Sequence, residues 1–454
     1  MPGPRGAGIL AAASSCFVSA STQSTVLGGA ASSPRSGTNP HFATDCATPD
    51  GEIRYLPTAS RNYSDFPKYL VPPARILSHM NQNTQTHAEI ITETFGSLWC
   101  RAVPKAGWTE FLLGSVPESS ASPARWLADL SGFQEQTGAS LVELDGFGDE
   151  HLMAELAAAL ADSSFSELPV SLLINDSNCG PLAGGLLVRA LLGVEVEPVI
   201  YQGATIGFSF EDENAEYCYL GGLVSADATQ DGAGQTTQVM TQIKAALQSR
   251  GMVFRDVVRT WYYLDGILSW YDDFNRARTE FFKKHDVFSL RMPASTGIGI
   301  ANASGKLVLA KVHAMRPKHD GLDVRVAESP LQGCAYAYGS AFSRALELRT
   351  SDSRTLHISG SASIAPSGET EFVDDVQAQI TRTLDVVEAI LHKAGMEWSD
   401  AVRGIAYFRD SKDMVLWNAA RQTLGLPPQV EIVVHADVCR DDLLFELELE
   451  ASSA

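Results

Sequence analysis

Residues 251–264, GMVFRDVVRTWYYL, and residues 395–408, GMEWSDAVRGIAYF, align without a gap at an offset of 144, sharing Gly, Met, Asp, Val, Arg and Tyr. A chain that repeats a segment at such a distance builds one small unit more than once, because each copy carries the same hydrophobic pattern. Upstream of both stretches, apolar residues recur at helical spacing: Val239, Ile243 and Leu247 in one copy, and Val386, Ile390 and Leu391 in the other. Before these helices stand the strand-like YCYLGGLVS and LHISGSASI, each with glycine where a strand meets a bend. After the repeated strand comes a second helix in each copy, SWYDDFNRARTEFFKKH and SKDMVLWNAARQTLG. Closing strands follow, STGIGIA with KLVLAKVHAM and QVEIVVHADV with LLFELELEA. A third copy, hardly matching in residues, keeps the same order between Phe111 and Asp176. The expected boundaries are 51–195 for this degenerate copy, 196–325 for the second and 326–454 for the third. Residues 1–50, rich in Ser, Ala, Gly and Pro and without a hydrophobic period, are expected to be disordered.

A net charge of −20 argues against a nucleic-acid backbone or an anionic membrane as partner. No apolar run reaches the roughly 18 residues of a membrane span. The GILAAASSCFVSA stretch after Arg5 has the outline of an export signal, yet serines dilute its apolar centre. Seven scattered cysteines without a CxxC pair give no zinc pattern. Their dispersion fits free thiols in a reducing cytoplasm, so the expected location is cytoplasmic. Without GxxxxGK or GxGxxG there is no nucleotide signature, and neither a metal nor an organic cofactor is indicated.

The repeat resembles the RidA/YjgF (L-PSP) domain: a strand with Ser-Gly, a helix running into an Ala-Gly-Met turn, a strand ending in Tyr-Phe, and a last strand of the FELELEA kind. Within that superfamily the wording is similar to the chorismatase branch. The similar segments are GSAFSRA (339–345), ISGSASI (358–364), AYFRD (406–410) and ADVCRDDLLFELE (436–448), with VRTWYYL, DDFNRARTEFF and PASTGIG in the preceding copy. The resemblance covers Tyr219 to the C-terminus; before about residue 200 nothing matches. It implies an α+β fold of tandem RidA/YjgF-like (chorismate mutase-like α/β) domains forming an intrachain pseudotrimer. The chain would then be a monomer with internal pseudo-threefold symmetry, and its sites would lie in clefts between domains. The implied activity is hydrolysis of the enolpyruvyl ether of chorismate to pyruvate and a dihydroxycyclohexadiene or hydroxybenzoate acid.

Such cleavage needs a carboxylic acid that stays protonated near neutral pH, which an apolar, partly dry wall provides. The resemblance places that acid at Glu446. By alternation Glu446, Glu448 and Glu450 share one strand face, and the three are not expected to be enclosed together. The pattern alone equally fits three solvated edge residues. Cys439, seven residues earlier, is the second catalytic candidate, against the plain reading of a small buried thiol. A small carboxylic-acid substrate calls for arginine forks. Candidates are Arg440, Arg344, Arg409 and Arg259, with Tyr263 and Ser361, against surface ion pairs for the arginines and core packing for Trp261 and Tyr263. An arginine from each of two repeats is the favoured arrangement. The alternatives are a RidA-type enamine or imine deaminase, which lacks its usual arginine at Ser295 and near Glu431, and a non-catalytic small-acid binding module.

Overall fold

The computed structural model describes residues 90–105, 107–115, 121–175, 184–319, 322–424 and 430–453. The 1–50 segment expected to be disordered lies outside the described residues. The first part of the chain runs β1 (Ile91–Phe95), β2 (Leu98–Lys105), β3 (Trp108–Ser115), α1 (Pro123–Thr137), β4 (Ser140–Gly148), α2 (Glu150–Ala161), β5 (Val170–Ile174) and β6 (Gly185–Leu192). The second runs β7 (Glu197–Tyr201), β8 (Ala204–Glu211), β9 (Ala215–Val224), α3 (Gly232–Ser249), β10 (Val257–Leu264), α4 (Tyr271–Lys284), β11 (Ala294–Ile298), the short β12 (Ala301–Asn302) and β13 (Val308–Pro317). The third runs β14 (Asp323–Val326), β15 (Ala345–Arg349), β16 (Arg354–Ala362), α5 (Val376–Lys393), β17 (Ala401–Phe408), α6 (Val415–Leu424), β18 (Val430–His435) and β19 (Phe445–Ser453).

The three sheets have one strand order: β5-β4-β6-β3-β2-β1, β11-β10-β13-β9-β8-β7 and β18-β17-β19-β16-β15-β14, with β12 added beyond β5. In each, one parallel pair (β4 with β5, β10 with β11, β17 with β18) is bridged by a helix, and the other pairs are antiparallel. The fold is therefore α+β, a tandem pseudotrimer of RidA-like sheets within one chain.

The repeated Gly-Met has a local cause. Asp231 and Asp375 cap the starts of α3 and α5, accepting from Gly234 N at 2.8 Å and Ala378 N at 3.0 Å. Just past the ends of these helices Gly251 and Gly395 adopt φ of +69° and +68°, a left-handed turn that favours glycine. Met252 and Met396 then drop into the cores beneath the helices. Fully buried side chains such as Ile243, Leu247, Val387 and Leu391 each contribute about 1.5–3 kcal/mol.

Each sheet buries its helix-side face in a core of its own. The opposite faces meet at the centre, where Phe147, Tyr263, Tyr407, Leu187 and Leu309 pack in one cluster drawn from all three sheets. Seams close the ring. Gly222 in β9 lies so near β5 that a Cβ there would meet the Val170 carbonyl at 2.4 Å. Ser295 N in β11 donates to Ser359 Oγ in β16 at 2.8 Å, and Gly184 N beside β6 donates to Val433 O in β18 at 2.7 Å.

Candidate active site

Register across the sheets shows which inward positions correspond. Arg189, His313 and Glu450 sit opposite Glu143, Arg259 and Arg403 respectively, each just beyond a β-bulge. Two residues along, Leu187, Lys311 and Glu448 correspond; two further, Gly185, Leu309 and Glu446. At this last position only the third domain carries an acid.

The expectation that Glu446, Glu448 and Glu450 could not all be enclosed is overturned: they are 5%, 2% and 5% exposed. Their strand face looks into the centre where the three sheets converge, and charges from all three sheets compensate it. Glu450 accepts from Arg189 Nη2 at 2.8 Å, and Arg189 also pairs with Glu110. Glu448 accepts from Arg259 Nη2 and Trp261 Nε1, both at 3.0 Å, with Arg403 Nη1 at 3.5 Å. Arg403 reaches on to Asp145 at 3.2 Å; Lys311 bridges Asp145 and Glu143, and His313 bonds Glu143 at 2.7 Å.

Glu446 differs from its neighbours. Among the described residues its carboxyl has no hydrogen bond or ion pair within bonding distance. Burial first, then the charge on Glu448, pushes it up to about 8 against the pull of Arg259 and Arg344. Its place depends on Gly360 in β16, where a Cβ would sit 1.9 Å from Glu446 Oε1 and 3.3 Å from Thr296 Cγ2 of the second domain. The start of the strand is pinned by Gln379 of α5, whose side-chain oxygen accepts from Leu444 N at 2.8 Å. Gln235 of α3 does the same for Leu307 N ahead of β13, at 2.9 Å. Phe445 and Leu447 point the other way, into the helix-side core.

Around Glu446, on the seam between the second and third domains, lies a group of arginines and aromatic side chains. Arg344 is 5% exposed; it donates to the Tyr338 hydroxyl at 2.6 Å and to Gly333 O at 3.2 Å, and lies over the Phe342 ring at 5.4 Å. Arg278, on α4, is 2% exposed and donates to Asn275 Oδ1 at 2.6 Å. It stands over Phe274 at 4.8 Å and over the same Phe342 ring at 6.0 Å, and its Nε has no partner. Among the described residues, Arg278 and Arg344 are the arginines no more than 5% exposed that lack an acidic side chain at ion-pair distance. Cys439 is close to Glu446, Arg440 and Tyr271, and burial pushes its thiol up to about 12, so it is held as a thiol. Tyr271 in turn interacts with Cys439 and Arg278.

The remaining candidates fall in different places. Arg440 donates to Gly368 O at 2.6 Å and lies over Tyr338 at 5.5 Å, at the rim of the group. Arg409 braces the loop that carries Cys439 and Arg440, pairing with Asp441 at 3.2 Å and Asp437 at 3.7 Å. Arg259 is engaged by Glu448 and by Thr296 Oγ1 at 2.7 Å, and stacks on Trp261. Tyr263 packs in the central cluster against Phe147. Ser361 pairs with Leu447 in the β16–β19 register and so shares the helix-facing side, its hydroxyl donating to Ser359 O at 3.1 Å. Arg278, Tyr271 and Tyr338 were not anticipated. An arginine on the apolar stripe of FNRARTEFF, spaced with Phe274, Phe281 and Phe282, was the available signal for the first. Among the described residues no three His, Cys, Asp or Glu side chains are grouped as metal ligands.

Fold and site together define a class: three L-PSP-type sheets fused in one chain, with an isolated buried acid at one interdomain seam. The family model for Endoribonuclease L-PSP matches residues 216–314 and 337–452. The matched residues make up most of the second and third domains, which are of the RidA/YjgF (L-PSP) superfamily. Its fold is similar to the crystal structure of a chorismatase at 18% identity and a TM-score of 0.52, over 80% of this chain and 100% of that one. That coverage takes in part of the chain before residue 200, where no sequence resemblance was found. Single-domain structures also match: the YjgF gene product of E. coli (23% identity, TM-score 0.24, 28% of this chain and 97% of that one) and a putative endoribonuclease L-PSP from Entamoeba histolytica (19%, 0.25, 28% and 98%). No curated protein matches. Among the described residues no helix is long and apolar enough to cross a membrane.

Proposed function

We propose that the chain is a chorismatase-like hydrolase that cleaves the enolpyruvyl ether of chorismate. The observation that carries this reading is the pair of buried arginines without acidic partners, Arg278 from the second domain and Arg344 from the third, which share the Phe342 ring at the seam that holds Glu446, a carboxyl with a raised pKa. Buried cations are normally paired, so two unpaired guanidinium groups call for two carboxylates from a ligand, and chorismate has two. The protonated acid at the same seam supplies what an enol ether needs. Glu446 gives its proton to the terminal methylene carbon, making an oxocarbenium ion. Water adds to that ion and returns a proton to the Glu446 carboxylate. The hemiketal then breaks its C–O bond to release pyruvate and a dihydroxycyclohexadiene carboxylate, so that one water is consumed overall. Cys439, held as a thiol, lies beside the acid and bears on which ring product leaves.

The test is binding of chorismate to the Glu446→Gln protein, measured by calorimetry, with Arg278→Met or Arg344→Met added. Each arginine removed costs about 1.5–3 kcal/mol, roughly ten- to hundredfold in affinity. Unchanged affinity in both would refute the two-carboxylate reading. Turnover of imines in place of chorismate would favour the deaminase alternative.

A further inference from the structure

We propose that Glu448 is a positioning residue for Glu446: by holding the Arg259 guanidinium it keeps that cation off the Glu446 carboxyl and leaves the carboxyl able to carry a proton. The inference rests on Glu446 as the general acid. Alternate residues of a strand share a face about 7 Å apart, within the span of one arginine. Arg259 Nη2 is shared between Glu448 Oε2 and Thr296 Oγ1, and Thr296 Cγ2 and Glu446 Oε1 both border the point where a Gly360 Cβ would lie. Arg259 Nη1 is buried without a partner. One arm of this arginine is therefore fixed by Glu448 and the other is idle, and the guanidinium as a whole acts on Glu446.

Glu448 is itself fixed by the Trp261 indole N–H, and Arg403 on its other side keeps Asp145 as a second partner. The remaining groups facing Glu446 are Arg344 from the segment before β15, Tyr407 of β17, Cys439 of the 436–444 loop and Tyr271 of α4. None of them is a carboxylate that could take Arg259. Without the Glu448 charge, a buried guanidinium would stand uncompensated, and pairing it with Glu446 is the cheapest remedy. The fold does not require an acid at this position, since Leu187 and Lys311 occupy it in the other two domains.

Infrared difference spectra of protein labelled with carboxyl-13C glutamate test this without substrate. The parent should show a protonated-glutamate band near neutral pH that Glu446→Gln removes. Glu448→Gln should lose the same band at neutral pH and recover it in acid, and the double variant Glu448→Gln, Arg259→Gln should restore it at neutral pH. The turnover profile should follow: each unit by which the Glu446 pKa falls below the assay pH removes about tenfold of the protonated fraction. Persistence of the band in Glu448→Gln, or its absence from the parent, would overturn the proposal, as would failure of the double variant to restore it. If Glu448→Gln folds poorly, the double variant, which removes both charges together, still decides. A parent inactive on chorismate but showing these band shifts would refute the hydrolase reading and leave the positioning role standing.

Discussion

Replacing Gly360 by alanine adds one methyl group, and the structure says where it goes. The new Cβ would lie 1.9 Å from Glu446 Oε1 and 2.8 Å from its carboxyl carbon, while ordinary contact begins at 3.4 Å. The carboxyl oxygen has to retreat by about 1.5 Å. Gly360 has no left-handed φ, so the backbone accepts alanine, and the clash falls on the far end of a flexible side chain. Stability should therefore change by only about 1 kcal/mol in either direction. Catalysis should suffer far more, because an angstrom of misplacement costs about a hundredfold. Arg278 and Arg344 are untouched, so the loss should appear in kcat with KM nearly constant. Pyruvate release from chorismate, with a thermal melt alongside, measures both. A Gly360→Ala enzyme with the parent's kcat would show that the Glu446 carboxyl is not where the chemistry happens.

Three further outcomes follow from the same geometry. Activity should be full at neutral pH and fall as pH rises through about 8, where Glu446 loses its proton; a profile flat to pH 10 would refute the acid role. Because its pKa rises from 4.5 unfolded to about 8 folded, native Glu446 binds a proton the unfolded chain has released, and stability falls between those values. Glu446→Gln should thus be more stable by about 3 kcal/mol at pH 7, read as a raised urea midpoint; a lowered midpoint would contradict the cost of this buried acid. Burial holds His313 down to about 4 and His357 down to about 3, against an ordinary 6.5. Between these values the unfolded chain binds protons the native one refuses, so stability should drop by several kcal/mol as pH falls from 6.5 to 4, which circular dichroism with urea would follow.

Much of the architecture was legible because it is periodic. The offset of 144 equates Arg259 with Arg403 and Tyr263 with Tyr407, and the repeated Gly-Met is a helix stop followed by a core residue. The first domain was legible only as an order of elements, since its inward positions carry Glu143, Asp145 and Arg189 where the others carry different residues, Arg259, Trp261 and His313 in the second and Arg403, Ile405 and Glu450 in the third. The site was legible in part. Alternation shows that Glu446, Glu448 and Glu450 share a face, but no local rule shows what that face meets. The partners of Glu448 and Glu450, Arg189, Arg259 and Arg403, come from three domains, 261 and 189 residues away in two cases, and tertiary pairing made a buried face of what the pattern also allowed as a surface. Arg259 fits a substrate-binding arginine by sequence, yet Glu448 had already claimed it. Arg278 stood unread because an arginine among phenylalanines looks like the edge of an amphipathic helix until its side chain is seen buried against Phe274 and Phe342.

The measurement that bears most directly on the account is turnover of chorismate by the parent and by Glu446→Gln, following pyruvate and the ring product by chromatography. The account predicts pyruvate and a matching amount of ring acid from the parent, and none above background from the variant. Pyruvate from both, or from neither, would contradict it.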